Sequence, residues 1–190
     1  MTDKTEVYRQ LRAVDAKDFH TCFYCGCIAY KSDLVPPIKH VEFYLKTQEE
    51  ADFYKVPACR ECCLFLKNEK ASLLGQRVDV VKRMLARKYS KAIRIYEVWD
   101  QSEVDDLSYQ LQHSVNAGIV LGKETNERIA FKGFDFEVDG EKHTAKYVSD
   151  QIFTVFDQKF ESFRCALDYA SKAYSIPKAK LIEMYTAQND

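Results

Sequence analysis

The chain has 190 residues and a formal net charge of -1, from 28 basic and 29 acidic side chains. With 46% hydrophobic and 30% charged residues it is not a disordered chain, and its balanced charge excludes a bulk polycation while leaving room for a local basic patch. No apolar run nears the ~18 residues of a membrane span, and the polar start MTDKTEVYRQLRAVDAKDF does not read as a signal peptide, so no membrane partner is expected. The expected compartment is reducing, the cytoplasm.

Residues 3–17 have the pattern of a short helix. The stretch from Cys22 to Cys63 has few helical signals until its end. From Arg77 to Tyr96 the apolar positions Val78, Val81, Leu85, Tyr89, Ala92 and Tyr96 recur on one helical face. Ser102 reads as the N-cap of a next helix, with Asp105 in a capping-box position and Val104, Leu107, Leu111 and Val115 as its stripe. Asn116-Ala117-Gly118 reads as its stop. Beyond it, 119–121, 128–134 and 151–156 carry the β-branched and aromatic residues of strands. Asp139-Gly140 reads as a hairpin turn between 134–138 and 142–148. Phe160, Phe163, Leu167, Ala170 and Tyr174 then share a helical face. Ser175-Ile176-Pro177 opens a last helix with Leu181, Ile182 and Tyr185 as its apolar positions. These elements predict an α+β fold with a boundary near residue 118: a metal-dependent module with a helical extension over 1–117, and a small α+β unit over 118–190. Residues 1–100 hold 18 basic and 14 acidic side chains, residues 101–190 hold 10 and 15, so the basic excess lies on the metal side.

Seven cysteines are the most informative count. Cys22-Phe23-Tyr24-Cys25-Gly26 is a knuckle: two thiolates two residues apart reach one ion from a tight turn, and glycine lets that turn take a positive φ. Cys59-Arg60-Glu61-Cys62, just after Val56-Pro57-Ala58, is a second pair, separated from the first by 33 residues. In a reducing compartment two such pairs predict a structural zinc ion held by Cys22, Cys25, Cys59 and Cys62. Iron is the other metal that a four-thiolate site takes in vitro. Four protein ligands leave no open position for catalysis. Cys27 and Cys63 neighbour the pairs without forming a knuckle, and Cys165 reads as a free thiol. His20, His113 and His143 have no ligand-like spacing.

Over residues 22–91 the sequence resembles the HNH endonuclease family, whose ββα-metal, treble-clef fold is often braced by a four-cysteine zinc. The resemblance rests on Asp33-Leu34-Val35-Pro36-Pro37 after the first knuckle and on Val56-Pro57-Ala58-Cys59-Arg60-Glu61-Cys62-Cys63 before a helix. The basic helix, Trp99 and the acidic run from Glu103 to Asp106 extend it. It implies an HNH-like ββα/treble-clef module with flanking helices. At the catalytic positions the sequence departs from the family: Leu34 stands where the family has the histidine that activates water, Cys63 where it has asparagine, and Tyr54 where it has a second asparagine. Leucine accepts no proton. Asp33 survives as a ligand for a catalytic magnesium, and His40, 15 residues after Cys25, is the other candidate base. The resemblance implies an inherited scaffold without nuclease chemistry. The alternative is an active, Mg2+-dependent nuclease using His40 and Asp33.

Lys82, Arg83, Arg87, Lys88, Lys91 and Arg94 lie between Asp79 and Glu97 with no acid among them. A solvated helix face tends to mix signs. This one has the residues to neutralise phosphates, and Lys67 and Lys70 extend it. The expected partner is nucleic acid, DNA ahead of RNA, or an enzyme that acts on it. Residues 153–177 resemble the strand-helix-helix DNA-binding modules appended to homing nucleases, through Ser162, Ala166, Ile176 and Pro177. Dimerisation through this acidic unit fits equally, and a third reading is an inhibitor or adaptor acting through protein contacts.

Overall fold

The computed structural model describes residues 5–47, 52–144, 153–155, 158–160 and 163–189. The fold mixes helix and strand, as the α+β expectation required. Its centre is an antiparallel hairpin, β3 (Lys31–Val35) and β4 (Tyr54–Ala58), in register from Lys31 opposite Ala58 to Val35 opposite Tyr54. In β4 Tyr54, Val56 and Ala58 are buried and alternate with Lys55 and Pro57, the period-2 pattern of a strand with one face in the core. Between these strands lies helix α1 (Val41–Thr47), and after β4 comes α2 (Arg60–Leu66), whose N-cap is Cys59.

Residues 9–10 and 12–13 are strands, not a helix. β1 (Arg9–Gln10) pairs parallel with β4, and β2 (Arg12–Ala13) pairs antiparallel with β5 (Phe136–Val138). The chain passes from one sheet to the other at Leu11, which is buried between them. The three-residue spacing of Tyr8 and Leu11 mimics a helical face, and two long-range pairings override it.

The expected helix over 77–96 is two helices. α3 (Leu74–Lys88) ends at Tyr89, whose φ of -105° and ψ of 18° leave helical values, and α4 (Ser90–Val98) starts again. Ser102 is not an N-cap: it lies inside the short helix α5 (Gln101–Asp105), and Ser108 precedes the next helix. That helix, α6 (Tyr109–Ala130), runs through the expected stop at Gly118 and through two segments read as β, 119–121 and the start of 128–134. Its two glycines serve packing instead. A Cβ on Gly118 would lie 2.8 Å from Ile95 Cδ1, and one on Gly122 would lie 2.2 Å from the Ala92 carbonyl oxygen. Glycine here admits the backbone of α4, which compensates its poor helix propensity.

The hairpin turn at Asp139-Gly140 is present, with φ of 51° and 89°, and joins β5 to β6 (Glu141–His143). Residues 145–148 of the expected second strand lie outside the described residues. Phe134, Phe136 and Val138 belong to the same core cluster as the cysteines, Val56, Leu66 and Leu85. Residue 118 therefore marks no change of unit: the helix crosses it, and the chain beyond returns to the first core. Nearer the end, β7 (Phe153–Val155) pairs with β8 (Gln158–Phe160), followed by α7 (Phe163–Tyr174) and α8 (Lys178–Asn189). Ala166 and Leu167 are the buried positions of α7, and Ser175, at φ 55°, makes the turn into α8. Ser162 and the side chain of Cys165 lie outside the described residues.

Candidate metal centre

Cys22 and Cys25 sit on a turn closed by the Gly26 N–H donating to the Cys22 carbonyl at 3.0 Å, with the Cys22 N–H donating to the Cys27 carbonyl at 2.6 Å. Gly26 takes φ 76°, the positive value the knuckle requires, and its bare Cα lets the Phe131 ring lie 3.0 Å from where a Cβ would stand. The other pair comes from the first turn of α2, where the Cys62 N–H points at Cys59 Sγ at 3.4 Å. The hairpin brings turn and helix together. Phe23 N–H donates to the Pro57 carbonyl and Tyr30 N–H to the Ala58 carbonyl, both at 2.9 Å, so the knuckle is stitched to the end of β4 just before Cys59.

The result is four buried sulfurs within 4.8 Å of one another, with Cys25 and Cys59 Sγ 3.7 Å apart. A tetrahedral centre with metal–sulfur bonds of ~2.3 Å has sulfur–sulfur edges of about 3.8 Å, so the cluster fits a structural metal site. The thiols also answer to each other's charge. Hydrogen bonding, led by Cys22, holds Cys25 far below its ordinary range and Cys59 at about 6. The reciprocal bonds, led by Cys25 for Cys22 and by Cys22 for Cys62, push those two thiols up. Four buried sulfurs cannot all ionise unaided, and a divalent cation at their centre is what permits it. Cys27 and Cys63 are half-buried and stand outside the four-sulfur cluster. Burial, then the charge of Cys25, pushes the Cys27 thiol up to about 11.

A second layer ties this cluster to the far end of α6. Arg128 Nη2 lies 3.9 Å from Cys25 Sγ and 2.5 Å from Glu61 Oε2. Glu61, inside the second cysteine pair, also accepts from Tyr89 Oη at 2.7 Å and from Lys88. Burial works against the Glu61 charge, yet Lys88, Arg128 and Tyr89 together hold its carboxyl below the usual range. Lys82 donates to the carbonyls of Arg128 and Phe131 at 2.7 and 2.6 Å, a cation on the unpaired C-terminal carbonyls of a helix.

Asp33 faces the opposite chemistry. Its Oδ1 takes Arg77 Nη2 at 2.6 Å, and its Oδ2 takes both Arg77 Nε at 2.8 Å and Tyr24 Oη at 2.6 Å. The two side chains are 11% and 2% exposed, and Arg77 Nη1 also donates to the Ala71 carbonyl at 2.8 Å. Burial lowers the Arg77 pKa, but the bidentate pair with Asp33 outweighs it and the net shift is upward. Burial first, then the charge of Asp33, pushes the Tyr24 hydroxyl well above its ordinary range. The carboxylate proposed as a metal ligand thus has both oxygens engaged by protein donors. Its chain neighbour Leu34 is half-buried on β3, and Val35-Pro36 is a cis peptide. His40 ends a 3-10 turn over Ile38–His40, and its Nδ1 meets Ser72 Oγ at 2.9 Å. Tyr54 is buried in the core.

Of the six basic residues read as one patch, the structure separates two. Lys82 is committed to the α6 carbonyls and Lys88 to Glu61. Arg83 and Arg87 on α3 and Lys91 and Arg94 on α4 are exposed, and none has an ion pair among the described residues. Sequence reasoning did not find Arg77, Glu61 or Arg128. Glu61 carried a signal, a carboxylate between two ligands. Arg77 and Arg128 carried none, because their partners lie 44 and 67 positions away in the chain.

No protein-family model matches the chain, and no curated protein or solved structure is similar to it.

Proposed function

We propose that the protein is a zinc-braced, nuclease-silent HNH-like module that binds nucleic acid, DNA ahead of RNA, or docks on an enzyme that acts on it. One observation carries this reading: four exposed arginines and lysines, Arg83, Arg87, Lys91 and Arg94, run along α3 and α4 without a carboxylate partner among the described residues. Unpaired cations in a row neutralise phosphates irrespective of base sequence. The order knuckle, antiparallel hairpin, helix supports the HNH-like, treble-clef description, and the four-sulfur cluster supports zinc as its brace.

Nuclease silence follows from the state of Asp33. A magnesium ion needs free carboxylate oxygens. Arg77 places its own positive charge against both of them, so a metal ion there would have to displace a bidentate ion pair. Leu34 supplies no base. The chain acts, on this reading, from the cytoplasm of a bacterium or a phage-infected cell.

Binding of a labelled DNA duplex, followed by fluorescence anisotropy against salt, tests the reading. Wild type binds with a steep salt slope. Reversing Arg83, Arg87 and Lys91 to Glu abolishes binding and flattens the slope, at unchanged zinc content. Equal binding by the reversed protein rejects nucleic acid as the partner of this face. In parallel, incubation with Mg2+ or Mn2+ yields no nicking, and cleavage that His40→Ala removes would restore the active-nuclease reading.

A further inference from the structure

Beside the cysteine cluster, on the knuckle and α2, lies an open cleft of about 1420 Å³ that the nucleic-acid reading does not use. Its lining includes Ile28, Tyr30 and Leu64, which are 82%, 75% and 64% exposed. Three large apolar side chains gathered in one concavity mark a binding surface more than scattered surface leucines do. Lys31, Arg60 and Lys67 also line it, all exposed and none with an ion pair among the described residues. The acid of the cleft, Glu61, is already held by Lys88, Arg128 and Tyr89. The cleft therefore combines exposed apolar side chains with exposed cations, beside the cysteines Cys27, Cys59 and Cys63 that also line it.

We infer that this cleft docks an acidic, amphipathic segment of a partner protein. Leucine or aromatic anchors of the segment sit on Ile28, Tyr30 and Leu64, and its carboxylates meet Lys31, Arg60 and Lys67. Charge complementarity names the sign of the partner, and the exposed apolar side chains name its class. Isoleucine and leucine offer nothing to phosphates or base edges, and single-stranded nucleic acid asks for stacking faces. The one exposed ring, Tyr30, already has the Lys31 ammonium 5.9 Å from its centroid. Apolar anchors within a charged rim are the ordinary anatomy of a protein interface. None of Arg83, Arg87, Lys91 and Arg94 lines the cleft, so the inference is tested apart from nucleic-acid binding.

A random peptide library displayed on phage is selected on the zinc-loaded full chain, and an enriched peptide is labelled for anisotropy. The expected selection is for Asp and Glu flanking Leu, Phe or Trp. Leu64→Asp weakens that peptide about 30-fold, the loss typical of a buried interface anchor. Lys67→Glu weakens it less and reduces its salt dependence, and Arg87→Glu leaves it unchanged. Leu64 and Lys67 are exposed, so metal content and melting temperature stay at wild-type values and separate lost binding from lost folding. Absence of acidic-apolar enrichment, or binding indifferent to Leu64→Asp, overturns the inference. A single-stranded oligonucleotide that displaces the peptide and loses affinity in Leu64→Asp overturns it in favour of nucleic acid. A wild-type dimer by light scattering that Leu64→Asp converts to monomer overturns it in favour of a second copy of the chain.

Discussion

The two sides of the metal module treat their charges in opposite ways. Around the cysteines, Glu61 gathers Lys88, Arg128 and Tyr89 at a partly exposed position, and its cations tie α2 to α3 and to the end of α6. Around Asp33, a single buried arginine and one tyrosine close off the carboxylate inside the core. One arrangement ties helices together beside the sulfur cluster, the other encloses a single carboxylate. A carboxylate on a hairpin strand says little about catalysis until its two oxygens are followed to their partners.

The largest test is on the bracing side. Cys22→Ser, or removal of the metal by a chelator, costs on the order of 10 kcal/mol of folding free energy, and thermal unfolding loses its cooperative transition. Should the chain keep its melting temperature without metal, the sulfur cluster is not what holds the hairpin, knuckle and α2 together.

The Asp33 side comes next. Arg77→Met leaves the largely buried Asp33 carboxyl with the Tyr24 hydroxyl but without its ion pair, and lowers stability by about 3–5 kcal/mol in urea unfolding. Adding Asp33→Leu to that variant recovers most of the loss, because two apolar side chains need no partner. The same double variant distinguishes a buried pair from a lost packing contact, which the second substitution would not repair.

A smaller pair of effects separates the glycines of α6. Gly122→Ala meets the backbone oxygen of Ala92 at 2.2 Å, so the helices must move apart, at ~1–3 kcal/mol. Gly118→Ala meets only side-chain atoms of Ile95, Cδ1 at 2.8 Å and Cγ2 at 3.0 Å, and no backbone. That side chain turns aside, and the gain in helix propensity of about 1 kcal/mol offsets the cost. Melting curves that rank the two in reverse order refute the packing of α4 on α6 described above. The smallest effect is at the hairpin turn. Gly140 has φ 89° and open space around it, so Gly140→Ala costs only the backbone strain, about 1 kcal/mol.

The four-cysteine cluster was legible because a knuckle is local chemistry: two cysteines two residues apart, a glycine after them, and a second pair at the start of a helix. The Asp139-Gly140 hairpin was legible for the same reason, since both residues must take positive φ. Residues 9–13 and 109–130 were not. Tyr8 and Leu11 sit at a helical spacing yet bracket a strand. Gly118 looks like a helix stop until the backbone of α4 is seen against Gly122. In both cases the deciding partner is distant in sequence. The basic run divides in the same manner: six cations look alike in sequence, and only the carbonyls at the end of α6 and the Glu61 carboxylate take Lys82 and Lys88 out of it.

By itself, then, the sequence determined which four cysteines cluster, the mixed helix and strand composition and the sign of the charge on α3 and α4. Those follow from side-chain chemistry and short spacings. Tertiary structure decided that Asp33 is closed by Arg77, that α6 is one helix and that 134–138 return to the cysteine core. It also decided that Ile28, Tyr30 and Leu64 open onto one cleft. Each of these is a meeting of residues far apart in the chain, and their energies depend on burial and partner geometry that no local pattern encodes.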